Sequence, residues 1–150
     1  SLAERSLATP ALVAACLLHD IGHLLADDPA ADTASGTGSD DRHEVLGTTW
    51  LGRLFPAAVL HPIRWHVDAK RYLVALRPAY LGELSDASRR SLAWQGGPMD
   101  AAERAHFIAR PFARDALALR AFDDAAKRRA APTLPIELFA RRLEYCLRLA

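Results

Sequence analysis

The sequence has few of the residues and patterns that mark a secreted or membrane protein. Only two of its 150 residues are cysteine, Cys16 and Cys146. Both lie in apolar helical patterns, where a buried free thiol is more common than a disulfide. No apolar run approaches the ~20 residues that a bilayer-spanning helix needs, and the first residues lack the basic-then-apolar pattern of a signal peptide. We therefore expect a soluble protein of the reducing cytoplasm, with no membrane partner.

Net charge is also nearly absent. Nineteen Lys and Arg residues face eighteen Asp and Glu residues, so the chain has no overall field that would attract nucleic acid, and any anion site must be a local cluster. With 51% hydrophobic residues, a chain of this length can bury one core but is short for two. We predict a single domain over residues 1–150, and the sequence does not indicate an oligomeric state.

β-Branched residues are few, and apolar residues recur at intervals of three and four, which predicts an all-α bundle. Thr9 and Pro10 are typical of an N-cap and a first helical position, and the apolar pattern then predicts one helix ending near Leu25. Pro56 and Pro62 should break or restart helices. Residues 27–41, DDPAADTASGTGSDD, predict a surface loop. Four further helices are predicted over 42–55, 63–76, 112–129 after Pro111, and 136–150 after Pro135. Leu84-Ser85 should open another helix, which Gly96-Gly97 closes. Asp100 with Glu103 should cap the helix that follows it.

Potential metal ligands lie inside or at the end of separate helices. They are His19 with Asp20, His43, His66, and the pair Asp123-Asp124. A helix bundle can direct such side chains to one interior point. Imidazole with carboxylate suits iron, manganese or zinc, and a carboxylate beside a histidine can bridge two ions. Any one of these histidines alone would be interpreted as a surface or hydrogen-bonded core residue, and we interpret His61 and His106 in that way, but their arrangement on successive helices favours a metal site.

A cluster of cations shares these helices. Lys70 follows His66 by one turn, while Arg120 and Lys127 flank Asp123 at helical spacing, which puts all three on the face of the potential ligands. Cations around a metal centre suit an oxyanion such as phosphate or phosphonate. The alternative for Lys127 is an ordinary surface pair with Asp123.

Six segments together resemble the HD-domain mixed-valence di-iron oxygenases, which cleave 2-amino-1-hydroxyethylphosphonate or its N-trimethylated analogue. The resemblance extends from Ser1 to about Lys127. The HD pair alone is shared by a large hydrolase superfamily, whereas HVDAKRYL followed by LSDASR and QGGPM is specific. The segments are HDIGH (19–23), HE (43–44), HVDAKRYL (66–73), LSDASR (84–89), QGGPM (95–99), and LRAFDD (119–124) with Lys127.

The resemblance implies two iron ions in the Fe(II)/Fe(III) state, dioxygen as co-substrate, and a small organophosphonate substrate from which phosphate is released. Whether the substrate amine is free or methylated stays open. The implied catalytic residues are His19, Asp20 and His23. The implied iron ligands are His19, Asp20 as the bridge, His43, His66 and Asp123, and the implied substrate contacts are His23, Lys70, Ser88, Gln95, Arg120 and Lys127.

The sequence departs from the family pattern before the HD motif. The family takes a further histidine ligand from a preceding helix, and a tyrosine and a glutamate from still earlier, yet no histidine precedes His19. We expect these counterparts to lie before Ser1, so that this single HD-type domain lacks an upstream helix. Two alternatives stay open: a phosphohydrolase that uses Mg, Mn or Zn on a phosphate ester, and a degenerate HD domain that binds a phosphorylated metabolite without turnover.

Overall fold

The computed structural model describes residues 8–26, 42–127 and 134–147, and every regular element in these ranges is helical. The all-α prediction is confirmed. Short 3₁₀ helices cover Pro78–Gly82 and Ile136–Phe139. The α-helices are α1 (Pro10–Leu18), α2 (Ile21–Ala26), α3 (His43–Leu51), α4 (Ala57–Arg64), α5 (His66–Leu76), α6 (Asp86–Trp94), α7 (Ala101–Ala109), α8 (Ala113–Ala126) and α9 (Ala140–Cys146).

Four apolar clusters hold the described helices together, and two of them support the helices that carry most of the polar residues. In the first, α1 packs against α4, α8 and α9, and its buried side chains include Leu12, Ile63 and Leu119. The second joins α5, α7 and α8 around Phe107. Helix α8 contributes to both clusters, and α5 packs against it. Several of the polar residues identified in the sequence lie on these two helices.

The prediction of one helix as far as Leu25 is wrong. Helix α1 ends at Leu18, His19 and Asp20 form a turn, and α2 begins at Ile21. The turn brings α2 against α3 so closely that a Cβ on Gly22 would lie 1.9 Å from the carbonyl oxygen of His43. The apolar pattern continues through the turn, so periodicity alone does not reveal it.

The predictions for the two prolines have different outcomes. Pro56 separates helices as predicted, because it is the residue immediately before α4. Pro62 does not break a helix but lies buried inside α4. Proline lacks the N–H that would donate a backbone hydrogen bond in the helix. Only two residues of α4 follow Pro62, so this loss lies near the end of the helix, which ends before Trp65. The helix predicted over 63–76 therefore begins later, at His66.

The predicted capping signals are confirmed at four positions. Gly96 and Gly97 have positive φ angles of 93° and 68° and end α6. The other three are the Thr9 cap of α1, the Ser85 cap of α6, and the Asp100-Glu103 capping box of α7. The last predicted helix begins as the 3₁₀ helix Ile136–Phe139, and α8 begins at Ala113 after a left-handed Phe112. Both differences are confined to helix starts.

Both cysteines are free thiols, as predicted. The surface loop predicted for 27–41 lies outside the described residues. Across the helices of the described ranges, none is long and apolar enough to cross a bilayer.

Candidate active site

The polar residues identified in the sequence converge on one cleft with a volume of about 340 Å³. Helices α2, α3, α5, α6 and α8 all contribute side chains to it, so residues far apart in the chain become neighbours. His19 lies behind the cleft wall and contacts Asp20 and Asp123. The predicted residues that line the cleft are Asp20, His23, His43, His66, Lys70, Ser88, Gln95, Arg120, Asp123 and Lys127.

Asp20 lies between two groups of histidine nitrogens. Its Oδ2 is 3.2 Å from Nε2 of His19, and its Oδ1 is 3.8 Å from Nε2 of His43. On one side, Oδ1 of Asp123 is 3.6 Å from the same nitrogen of His19. On the other side, Nε2 of His66 is 3.1 Å from Nε2 of His43. The two carboxylate oxygens of Asp20 thus face different clusters, as a bridging ligand requires.

Backbone carbonyls fix the tautomers of two of these histidines. Nδ1 of His19 is 3.0 Å from the carbonyl oxygen of Cys16, and Nδ1 of His66 is 2.7 Å from that of Ile63. A carbonyl only accepts, so each Nδ1 carries the hydrogen and each neutral ring presents a lone pair at Nε2. Nε2 of His19 is buried and faces the carboxylates of Asp20 and Asp123. Metal-ligating histidines commonly have this arrangement, so these residues fit a metal ion.

The electrostatics favour positive charge between the carboxylates. Burial alone would lower the pKa of His19, but Asp123 and Asp20 outweigh it and raise the pKa to about 9. Burial would raise the pKa of Asp20, yet hydrogen bonding and charge from His19 lower it to about 2, and the pKa of Asp123 lies well below its usual range for similar reasons. Burial lowers the pKa of His66 to about 3, so its ring is neutral. A proton or a cation at His19 is therefore strongly stabilised.

Two of the three predicted cations are buried beside these ligands. Arg120 is only 3% exposed, and its guanidinium lies 3.1 Å from Oδ2 of Asp123 and also pairs with Asp124. Lys70 is also 3% exposed, and its Nζ donates to Oγ of Ser91 at 2.8 Å. Both charges are thus held in a partly desolvated position, where an anion would be bound more strongly than at the surface.

Lys127 differs from the other two cations. Its Nζ donates to Oδ2 of Asp123 at 2.7 Å, and its side chain is 39% exposed. The pair between Asp123 and Lys127 that the sequence offered as an alternative is therefore formed. Because Lys127 also lines the cleft, the contact holds its ammonium group at the cleft rim.

His23 and Gln95 complete the predicted substrate contacts. The ring of His23 stacks on that of His43 with the centroids 4.0 Å apart, and Gln95 ends α6 at the cleft wall. His61 and His106 do not line the cleft: His61 packs on Trp65, and His106 is exposed on α7. Their interpretation as structural residues agrees with these positions.

Several residues at the site were not identified from the sequence. Tyr80 donates to Asp124 and accepts from Nε of Arg120 at 3.1 Å, so it orients the buried guanidinium. The two adjacent aspartates could have suggested that Asp124 holds Arg120 while Asp123 faces His19. No pattern near Tyr80 indicated that its hydroxyl reaches Asp124. Gly22 had a usable signal, since a glycine inside an apolar helical pattern often marks close packing. Ser91 and Trp94 follow Ser88 at intervals of three and also line the cleft.

Comparison with known proteins reveals chains similar to this one over most of its length. The chain is 40% identical over 146 residues to the hydroxymethylphosphonate dioxygenase of Gimesia maris, covering 97% of this chain and 72% of the relative. It is 40% identical over 129 residues to the glycine-betaine-forming [1-hydroxy-2-(trimethylamino)ethyl]phosphonate dioxygenase of Leisingera caerulea, covering 85% of this chain and 64% of that relative. No protein-family model matches the chain.

Proposed function

The chain belongs to the family of phosphonate dioxygenases that these relatives represent, and we propose that it oxidatively cleaves the carbon-phosphorus bond of a small 1-hydroxyphosphonate and releases phosphate. The observation that carries this proposal is the position of Asp20 between two histidine groups, next to a cleft wall that contains buried cations. A bridging carboxylate supports a dinuclear centre, and the cations support an oxyanion substrate.

The two groups of side chains define the proposed metal ligands. His19, Asp20 and Asp123 would hold one ion, while Asp20, His43 and His66 would hold the other. The fixed lone pairs on His19 and His66 support this assignment, because neither ring would need to change its tautomer. When bound, a pair of iron ions in the Fe(II)/Fe(III) state would supply the activation of dioxygen and the redox chemistry.

The protein itself would bind and orient the substrate. Lys70, Arg120 and Lys127 surround the anion end of the cleft, where they would fix the phosphonate oxygens by charge-assisted hydrogen bonds. The hydroxyl of Ser88 lies 3.3 Å from Arg120 and would add a neutral donor. His23, stacked on His43, would lie beside the hydroxyl-bearing carbon, and Gln95 would bound the cleft on the α6 side.

The reaction is tested by phosphate release from a 1-hydroxyphosphonate by the whole protein reconstituted with iron. We expect release that requires both iron and dioxygen, and that Asp20→Ala abolishes. Release from a phosphate ester with Mg, Mn or Zn in the absence of dioxygen would instead indicate a hydrolase. Binding of the phosphonate without any turnover would indicate a binding domain.

A further inference from the structure

Trp94 is a large aromatic residue in an unusual position. It is the last residue of α6, it lines the cleft, and it is 55% exposed. In contrast, Trp65 is partly buried, with Arg110 over its ring. No cation of the described ranges stacks on Trp94, and it belongs to none of the apolar clusters found there. Its ring is thus available to a molecule in the cleft.

The spacing along α6 places Trp94 beyond the cation cluster. Ser88 contacts Arg120, and Ser91 accepts from Lys70. Trp94 follows Ser91 by three residues, so it lies on the same face about 4.5 Å farther along the helix axis. The α6 wall of the cleft therefore changes from an anion-binding end to an aromatic end over a distance similar to that between phosphorus and nitrogen in a P–C–C–N skeleton.

Among the described residues, no carboxylate lies at the aromatic end. Of the described residues that line the cleft, only Asp20 and Asp123 are acidic. Both already face His19, and Asp123 also pairs with Arg120 and Lys127. A primary ammonium group has three N–H donors that need acceptors. A quaternary ammonium group has none, and it is recognised by the face of an aromatic ring, tryptophan being the strongest.

We propose that Trp94 is a specificity-determining residue that favours a 1-hydroxyphosphonate with a trimethylammonium group over one with a primary amine or with no substituent. This inference rests on the proposed function and names the substrate class of that same site. The cleft volume of about 340 Å³ lies in the range of clefts that hold small-molecule ligands, roughly 300 to 1,000 Å³, which leaves room for a substituent beyond the phosphonate.

The test compares three substrates: hydroxymethylphosphonate, 2-amino-1-hydroxyethylphosphonate and its trimethylated analogue. Each kcat/KM is measured for the wild type, Trp94→Leu and Trp94→Phe. We expect the wild type to prefer the trimethylated substrate. The selectivity is the kcat/KM for the trimethylated substrate divided by the kcat/KM for hydroxymethylphosphonate. In Trp94→Leu this ratio should fall about tenfold, mainly because KM for the trimethylated substrate rises. Trp94→Phe should retain most of the ratio. Trp50→Leu is the matched control, because Trp50 is similarly exposed at 53% but lies outside the cleft lining.

A binding measurement separates this inference from the reaction itself. Under anaerobic conditions, the trimethylated substrate should change the tryptophan fluorescence of the wild type and of Trp50→Leu but not that of Trp94→Leu. This result would support the role of Trp94 even if no substrate released phosphate. The absence of phosphate release would contradict the proposed function but not this inference. A ratio within twofold of the wild type in Trp94→Leu, an equal fall in Trp50→Leu, or a wild-type preference for the primary amine would overturn the inference.

Discussion

His43 and His66 face each other through their Nε2 atoms, 3.1 Å apart, from the first residues of α3 and α5. Because Nδ1 of His66 donates to a carbonyl, its neutral ring can only accept at Nε2. In this contact Nε2 of His43 therefore donates to Nε2 of His66. The two nitrogens, with Oδ1 of Asp20 at 3.8 Å from that of His43, would both bind one cation once the hydrogen of His43 moves to Nδ1.

The first prediction concerns metal content. We expect His43→Ala and His66→Ala each to lose about one equivalent of bound iron, since too few ligands would remain at that position, whereas Asp20→Ala should reduce both equivalents. Iron is measured by elemental analysis after gel filtration, and the exposed His106→Ala serves as control. Full iron retention in His66→Ala would show that this pair is not a ligand pair.

The second prediction concerns anion binding. Lys70→Met should weaken binding of inorganic phosphate to the iron-loaded protein by about tenfold or more, because a charge-assisted contact contributes roughly 1.5 to 3 kcal/mol. Lys127→Met should have a smaller effect, since Lys127 is 39% exposed and is screened by solvent. Binding is followed by calorimetry, with iron content measured in parallel.

The control for this prediction is Arg114→Met, which removes an exposed cation from the same helix as Arg120. It should leave the affinity for phosphate unchanged. If Lys70→Met lost iron together with phosphate binding, the variant would have disturbed the ligands, and the assignment of Lys70 to the anion would be wrong.

The third prediction concerns the glycine of the HDIGH segment. A Cβ at Gly22 would lie 1.9 Å from the carbonyl oxygen of His43, so Gly22→Ala must separate α2 from α3. We expect a loss of about 1 to 3 kcal/mol in the free energy of unfolding and reduced iron content, because the same shift displaces His43. Gly82→Ala is the matched control, since nothing lies within 4 Å of a Cβ there, and it should be close to neutral in chemical denaturation. Equal stabilities of the two variants would contradict the close packing.

Many residues of this cleft could be identified from the sequence, because the chain has only six histidines and several of them lie at predicted helix ends. His43 and His66 begin their helices, and Asp123 follows Arg120 by about one turn. Such local spacing determines which side chains share a helix face. The segments that carry these residues also carry the resemblance to the phosphonate oxygenases, which the relatives confirm.

The parts that the sequence did not predict depend on how helices approach each other. The turn at His19 and Asp20 interrupts no apolar pattern, and it places Gly22 against α3. The hydrogen bond between Tyr80 and Asp124 joins residues 44 positions apart. Periodicity contains no information about such distant contacts, because it describes one element at a time.

The fourth prediction concerns the stability of the folded protein at alkaline pH. Burial and then the hydrogen bond to Asp124 raise the pKa of Tyr80 to about 12, against an ordinary value near 10. Between these values the unfolded chain loses the phenolic proton while the folded protein keeps it. The stabilisation is therefore fully present below pH 10 and is lost as the pH rises toward 12, by up to about 1.4 kcal/mol per pH unit.

Tyr80→Phe should remove this contribution to the pH dependence of the free energy of unfolding. It should also cost about 1 to 3 kcal/mol at pH 8, because the hydrogen bonds of the hydroxyl to Asp124 and from Arg120 are both lost. Urea unfolding of wild type and variant between pH 9 and pH 11 gives the difference in slope. Tyr145→Phe is the control, because Tyr145 is 81% exposed and its replacement should leave the free energy of unfolding nearly unchanged. Parallel pH dependences for wild type and Tyr80→Phe would mean that the phenol of Tyr80 does not hold its proton more strongly in the folded protein than in the unfolded chain.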